Sequence, residues 1–211
     1  MIETILPLLL KASLITIQAS ALGGLFGSIG GILLGLFACE RLRIPGLSHL
    51  IGLYVAIVRG TPMFVQLLIV YFAVPEALDI DIPPLTAGII TLALNSSAYL
   101  SEIIRGSINA LPIGQWEAAD TLGYKTHQTL RRVILPQALK NALPAITNEF
   151  STLIKESSIL MFIGVPELLK ASRDIVAREL KPLEVYALAA LIYLAMTSAM
   201  ALVTRQLEKR I

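Results

Sequence analysis

Polar side chains in the otherwise apolar segment 85–104 could form one side of a binding site. Asn95, Tyr99 and Glu102 are four and three residues apart, so a helix would place them on one face. A polar stripe of this kind can face a ligand in a cavity, or it can hydrogen-bond to neighbouring helices in a membrane. The sequence leaves both possibilities open for Asn95.

The segment 143–164 adds ionisable groups that cannot neutralise one another within one helix. Glu149 and Lys155 are six residues apart, which places them about 120° apart around a helix, so they do not form an i,i+4 pair. Glu149 therefore pairs across helices, faces water, stays protonated or holds a cationic ligand. Lys155 faces similar alternatives, and Gln66 could join the same central polar site.

The composition indicates which elements carry these residues. Hydrophobic residues make up 55% of the 211 residues and charged residues 15%, whereas a typical soluble domain has about 25% charged residues. This excludes a water-soluble globule and intrinsic disorder, and the single Cys39 excludes a disulfide scaffold. A membrane-spanning helix needs about 20 mostly apolar residues. We predict one all-α integral membrane domain over residues 1–211, with five spans at about 12–38, 52–75, 85–104, 143–164 and 184–204.

The distribution of basic residues predicts the orientation of these spans. With the C-terminus inside, the inner segments hold eleven Lys and Arg residues and the outer segments hold five. Inner segments of membrane proteins are enriched in these residues. We therefore expect the N-terminus outside and the C-terminus in the cytoplasm. The basic residues do not cluster on one face, so nucleic-acid binding is not expected.

Glycines in the first span predict close helix packing. Four of them are spaced four residues apart and line one face, namely Gly23, Gly27, Gly31 and Gly35. Small residues of this kind let two helices approach closely in a membrane. A phosphate-binding glycine loop would need a preceding strand, and none fits here.

The second span contains the sequence Arg59-Gly60-Thr61-Pro62. Thr is favoured as an N-cap and Pro at the first helical position, so a helix would restart at Pro62 after a break near Gly60. Broken membrane helices occur where the backbone lines a cavity or is buried in protein. The alternative is an ordinary helix start at the membrane surface, where Arg59 extends towards water.

The inner segment at about 106–142 is longer than a plain connector needs to be. Gln115 to Leu122 favours a helix, and Gly123 is a suitable C-terminal stop. A second helix would run from Thr126 to Ile134. We therefore predict a short helix pair with a turn at Gly123, which suits a contact with another protein.

This segment contains Glu117-Ala118-Ala119, then Gly123, Val133 and Leu135-Pro136. The pattern resembles the EAA loop of ABC importer permeases, with Val133 where isoleucine is usual. Three further stretches resemble the polar amino acid permeases of this group: Arg59-Gly60-Thr61-Pro62 with Gln66, Ala98 to Gly106, and Lys155-Glu156-Ser157-Ser158. The resemblance covers about residues 10–205, and four motifs in this order are highly specific.

The resemblance implies a type I ABC importer-like permease in the bacterial cytoplasmic (inner) membrane. The loop would dock as a coupling helix on a separate ATP-binding subunit, through Glu117, Ala118, Ala119, Gly123, Leu135 and Pro136. The implied assembly has two ATP-binding subunits, a second permease subunit that is identical or similar, and an extracytoplasmic amino acid-binding protein. The chain itself would hold no cofactor, because ATP would bind to the partner. The sequence agrees in having no G-x-x-x-x-G-K-[ST] run.

The resemblance implies import of amino acids. The polar residues within the spans are the candidates for the substrate pathway, namely Asn95, Tyr99, Glu149, Gln66 and Lys155. A Glu149 without a partner would suit a cationic group. We therefore expect a basic amino acid, such as arginine, lysine or histidine, with glutamine and glutamate still open.

Two other classes of function compete with this hypothesis. An autonomous secondary carrier or channel would also have polar residues at the centre of its spans. It would not need the long inner segment, however. A membrane-embedded enzyme would need a Ser-His pair or clustered metal ligands. His49 and His127 lie in inner segments and Cys39 stands alone, so we expect no catalytic residues and no metal site.

Overall fold

The fold was analysed in a computed structural model, which describes residues 2–42 and 44–208. Three basic residues that we assigned to the inner side, Arg43, Lys209 and Arg210, lie outside the described residues. The regular elements of the described chain are all helical, which confirms the predicted all-α class. In order they are α1 (Ile2–Ala38), a 3-10 turn (Glu40–Leu42), α2 (Leu47–Gly60), α3 (Met63–Leu68), a π-helical turn (Ile69–Ala73), α4 (Val74–Leu78), α5 (Pro84–Asn109), α6 (Ile113–Thr121), α7 (Thr126–Thr129), a second π-helical turn (Leu130–Ile134), α8 (Leu135–Glu156), a 3-10 helix (Ser157–Ile163), α9 (Leu168–Glu179) and α10 (Pro182–Glu208).

Three described helices, α1, α5 and α10, are each long and apolar enough to cross a membrane. The pair Leu47–Gly60 and Met63–Leu78 also qualifies if it is counted as one span, and it is bent by 106°. The fifth predicted span, 143–164, falls on α8 and the 3-10 helix that follows it. Its charged residues lower its apolar character, so the count of five spans stays a prediction.

The glycine face of α1 packs directly on α5. A Cβ atom placed on Gly27 would lie 2.7 Å from the Cβ atom of Ser96, and one placed on Gly31 would lie 2.5 Å from the Cβ atom of Leu100. Both distances are far below an ordinary carbon contact of about 3.5–4.0 Å. The predicted packing role of this face is therefore confirmed, and α1 and α5 contact each other more extensively than any other pair of described helices.

Two prolines are accommodated without ending their helices. Each π-helical turn ends just before a proline, at Pro75 in the first case and at Pro136 in the second. A proline lacks an N–H group and clashes with the carbonyl four residues earlier, and a widened turn relieves that clash. The predicted end of the loop's second helix at Ile134 is therefore wrong. That helix begins at Thr126, as predicted, but continues through Pro136 into α8.

The segment between α8 and α10 is fixed by a buried carboxylate. Glu167 is fully buried and accepts hydrogen bonds from the backbone N–H groups of Leu169 (2.8 Å) and Lys170 (2.7 Å) at the start of α9. It also accepts one from the hydroxyl of Tyr193 on α10, at 3.0 Å. Burial raises the pKa of the Glu167 carboxyl above its usual value, against the lowering effect of these donors. The hydroxyl of Thr16 on α1 accepts from the N–H of Leu168, at 3.1 Å, so α9 is tied to both α1 and α10.

Candidate functional site

Helices α5 and α8 enclose a polar cleft of about 330 Å³. The polar residues that line it are Asn95 and Tyr99 from α5 and Asn148, Glu149, Thr152 and Glu156 from α8. Asn95 and Tyr99 are four residues apart, and Asn148 and Glu149 are followed by Thr152 and Glu156 after three or four residues each, as expected for one face of a helix. The structure therefore brings together three residues predicted from the sequence, Asn95, Tyr99 and Glu149.

Glu149 carries an acidic group into this cleft without a basic partner. The residue is only 8% exposed. Within the described chain, no Lys or Arg nitrogen lies within 4 Å of its carboxylate. Glu156, seven residues further along α8, lines the same cleft. Removing a carboxylate from water is costly unless it is paired, so a cleft with two such groups favours a positively charged ligand.

Gln66 lies behind the cleft and holds the broken second span to α5. Its amide nitrogen donates to the backbone oxygen of Val58 (2.7 Å) and to the hydroxyl oxygen of Thr61 (2.9 Å), on the far side of the break. Its side-chain oxygen accepts from the amide nitrogen of Asn95, at 3.2 Å. Gln66 therefore orients Asn95 and is not one of the residues lining the cleft.

The helix break confirms one prediction and corrects another. Helix α2 ends at Gly60 and α3 begins at Met63, so the span is interrupted where the sequence predicted. Thr61 was predicted to cap the new helix, and this is wrong. Its hydroxyl instead donates to the backbone oxygen of Ile57, at 2.8 Å, and so closes the end of α2. Pro62 takes the capping position, with an extended backbone, and its carbonyl accepts from the N–H of Gln66.

The structure does not bring Lys155 to the cleft. Lys155 is exposed and lines a separate cavity with Ser158 and Tyr193, on another side of α8. This agrees with its angular separation from Glu149. Lys155 is a candidate from the sequence because of its charge, whereas Asn148 and Thr152, which lie on the cleft, were not predicted. The four-residue spacing of Asn148, Thr152 and Glu156 was the available signal.

A cluster of charges lies one helical turn from Tyr99. Arg105 donates two hydrogen bonds to Glu102, from Nε at 2.9 Å and from a terminal nitrogen at 2.7 Å. Arg59, at the end of α2, has one nitrogen 3.8 Å from the same carboxylate, and its guanidinium carbon lies 5.1 Å from the centre of the Tyr99 ring. The cluster therefore joins the broken span to α5 beside the cleft.

The loop helix α6 has one face in the bundle and one face outside it. Trp116 and Ala119 are buried, and Trp116 packs with residues of α1, α5 and α8 while Arg41 stacks over its ring at 5.4 Å. Glu117 and Ala118 are exposed. Of the two predicted coupling alanines, only Ala118 is therefore accessible to a partner.

The turn after α6 is the one predicted from Gly123. This residue has φ +78°, a conformation that favours glycine. Its N–H donates to the carbonyl of Asp120, and the N–H of Tyr124 donates to that of Ala119, at 2.9 and 3.0 Å. Leu122 is 75% exposed beside this turn and is an accessible residue that was not predicted from the sequence.

The remaining predicted coupling residues lie on the helix that leads from the loop into the bundle. Leu135 is half-buried and Pro136 is exposed, immediately after the second π-helical turn. They therefore mark where the loop joins α8, whereas the accessible face of α6 and the Gly123 turn lie at the other end of the loop.

The family of the protein follows from its sequence. The profile of a family described as the inner membrane component of binding-protein-dependent transport systems matches residues 3–211. The chain belongs to this family. Its members are transport components of the inner membrane, which agrees with the apolar helices of the described chain.

Individual relatives cover nearly all of this transport component. The glutamine transport system permease protein GlnP of Escherichia coli strain K12 is 36% identical over 208 residues, which are 97% of this chain and 93% of the relative. The arginine transport system permease protein ArtQ of Bacillus subtilis strain 168 is 36% identical over 206 residues, with coverages of 98% and 93%. In a crystal structure described as an amino acid ABC transporter with histidines, one chain matches with a TM-score of 0.88 and 36% identity, covering 97% of this chain and 94% of that one. The fold expected of a type I ABC importer permease is thereby confirmed.

Proposed function

We propose that this chain is the permease subunit of an ATP-driven amino acid importer and that its substrates are basic amino acids. The observation that carries the proposal is Glu149, a buried carboxylate in a polar cleft with no basic residue within 4 Å in the described chain. A charged ligand group could satisfy it by a charge-assisted hydrogen bond. Among the relatives, one is named for arginine and another for glutamine, so their names support amino acid import without selecting the substrate.

Uptake by membrane vesicles that contain the assembled importer would test the substrate. We expect Glu149→Gln to lower arginine uptake about 10- to 100-fold, because a hydrogen bond to a charged group contributes about 1.5–3 kcal/mol. Glutamine uptake should change much less. Lys155→Gln is the matched control, because it neutralises a charge on the same helix outside the cleft and should leave both rates unchanged. Full arginine uptake by Glu149→Gln would contradict the proposal.

The loop between α5 and α8 is proposed to contact a separate ATP-binding subunit. Support comes from the accessible residues Glu117, Ala118 and Leu122, which lie together beside the Gly123 turn. In this proposal ATP binds to the partner, and the permease contributes mechanical work. An importer of this kind would contain two ATP-binding subunits, a second permease subunit and an extracytoplasmic binding protein, with the N-terminus of this chain outside and its C-terminus inside.

Co-purification in mild detergent would test this contact. Gly123→Val forces a β-branched residue into a backbone conformation with φ +78°, which should distort the turn and release the ATPase subunit. Gly46→Val is the matched control, because Gly46 has φ +87° and an equally open environment but lies between α1 and α2. If both variants retain the ATPase, the loop is not the contact. If the wild type brings down no ATPase at all, the carrier or channel hypothesis replaces the importer.

A further inference from the structure

Arg59 lies beside the cleft, and its guanidinium has N–H donors without acceptors in the part of the chain that the structure describes. Its side chain is 43% exposed and, within the described chain, its guanidinium makes no hydrogen bond. Among the described residues its one ionic contact is the 3.8 Å approach to Glu102, which is longer than a charge-assisted hydrogen bond of about 2.7–2.9 Å. Exposed pairs of this kind contribute little to stability.

Glu102 does not need Arg59 as a partner. Both of its carboxylate oxygens already accept hydrogen bonds from Arg105, at 2.9 and 2.7 Å. This two-point pairing is the geometry that guanidinium and carboxylate groups favour. Arg105 therefore neutralises Glu102 and leaves the charge of Arg59 available to another anion.

The position of Arg59 relates it to the cleft. Its guanidinium carbon lies 5.1 Å from the centre of the Tyr99 ring, and Tyr99 lines the cleft. A guanidinium at this distance from an aromatic ring is held by cation–π attraction while its N–H groups stay available. Glu149 and Glu156 lie on the α8 side of the same cleft. Negative charge therefore lines the cleft, and the positive charge of Arg59 lies next to Tyr99, just outside the lining residues. The two match the two charges of an amino acid.

We propose that Arg59 recognises the α-carboxylate of the amino acid held in the cleft, with the Tyr99 ring as its support. The cationic group of the substrate then faces Glu149. A planar guanidinium suits this task because it can bind both oxygens of a carboxylate at once. The inference rests on the proposed function, since it requires that the cleft binds amino acids. The inference assigns to Arg59 the selection of amino acids over the corresponding decarboxylated amines, which have the same side chain but no carboxylate.

The test compares ligands that differ only in the carboxylate. Isothermal titration of the purified permease–ATPase complex, without the binding protein, would measure the dissociation constants of arginine and of agmatine, which is arginine without its carboxylate. Glutamine and its decarboxylated amine form a second pair. We expect the wild type to bind the amino acid about 10- to 100-fold more tightly than the amine. In Arg59→Gln this ratio should fall to about one, because the amino acid loses affinity and the amine does not.

Two further variants separate recognition from a structural effect. Lys155→Gln removes a cation away from the cleft and should keep the wild-type ratio. Arg59→Lys keeps the charge but not the planar pair of donors, so its ratio should be intermediate. It also serves as the test variant if Arg59→Gln does not assemble. A loss of stability alone would weaken both ligands equally and leave the ratio unchanged.

The outcomes distinguish this inference from the proposed function. If Arg59→Gln keeps the wild-type ratio of the two dissociation constants, Arg59 does not bind the carboxylate, although the cleft still binds amino acids. The same conclusion follows if the wild type binds arginine and agmatine equally well. If the wild type binds neither amino acid, the cleft is not the substrate site, and both proposals fail.

Discussion

Replacing Gly31 by alanine should push α1 and α5 apart. The new Cβ atom would lie 2.5 Å from the Cβ atom of Leu100 and 3.1 Å from the carbonyl oxygen of Ser97. A carbon–carbon contact needs about 3.5 Å, so α1 and α5 would have to move apart by about 1 Å. No change of rotamer can relieve the contact, because a Cβ atom is fixed by the backbone. The strain therefore reaches the neighbouring contacts of the glycine face.

The size of the effect follows from two opposing contributions. Overpacking a close interface costs about 1–3 kcal/mol. Alanine regains up to about 1 kcal/mol over glycine as a helix former. We take the overpacking cost near the top of its range, because neither backbone can move locally. After the gain in helix propensity is subtracted, we expect Gly31→Ala to lower the free energy of unfolding by about 2 kcal/mol. For a chain of this size that corresponds to a decrease of about 4–8 °C in melting temperature.

Two matched glycines give the controls. A Cβ atom on Gly52, within α2, meets nothing within 4 Å, so Gly52→Ala should be neutral or slightly stabilising. A Cβ atom on Gly24 would clash with the edge of the Phe150 ring, but this ring is half-buried and can turn aside. The expected order of stability is Gly52→Ala, then Gly24→Ala, then Gly31→Ala.

The chain contains its own reporter for this measurement. Cys39 is its single cysteine and is fully buried, so a thiol-reactive fluorophore labels it only when the bundle opens. Heating each purified variant in the same detergent with the dye gives its melting temperature. If Gly31→Ala and Gly52→Ala have the same melting temperature, α1 and α5 accommodate the added methyl group without loss of stability. That result would refute the proposed packing constraint.

Two other substitutions test how the loop and the α9 segment are held. Trp116→Ala removes a buried anchor of α6, which should cost about 3–5 kcal/mol and expose the loop, whereas Trp116→Phe should cost less. Trypsin cleavage after the exposed Lys125 measures this, and equal cleavage rates in both variants and the wild type would contradict the anchoring role. Burial raises the pKa of the Glu167 carboxyl in the folded state, so its protonated form favours folding. Stability is therefore lost as the pH rises from about 4.3, the usual pKa of glutamate, through the raised pKa. The melting temperature of the wild type should therefore fall between pH 4.5 and 7.5 more than that of Glu167→Gln, and parallel curves would exclude this titration as the cause.

Features that depend on glycine and proline could be predicted from the sequence. Gly123 adopts the left-handed turn, the span breaks after Gly60, and the face that includes Gly31 packs on another helix. In each case the backbone requirement or the missing side chain is a property of the residue itself. Local chemistry therefore determines the outcome, whatever surrounds it.

Features that depend on which helix faces meet could not be predicted. The sequence identified Glu149 and Lys155 as charges on different faces of one helix, but nothing in it says which face meets α5. The contacts with α5 placed Glu149 in the cleft and Lys155 outside it. Gln66 bonds to Asn95 and to Thr61 and does not line the cleft, so it supports the site from outside. Such roles depend on tertiary contacts between segments far apart in the sequence.

The error at Pro136 changes how the loop relates to the cleft. A helix that ended at Ile134 would leave the loop joined to α8 by a flexible connection. Because the π-helical turn absorbs Pro136, helical structure is continuous from Thr126 to Glu156. At about 1.5 Å per residue this is a rod of roughly 45 Å, with the Gly123 turn at one end and Glu149 near the other. A displacement at the Gly123 end would therefore be transmitted along one helix towards the carboxylates of the cleft. The widened turn and Pro144 are two points at which this helix can bend.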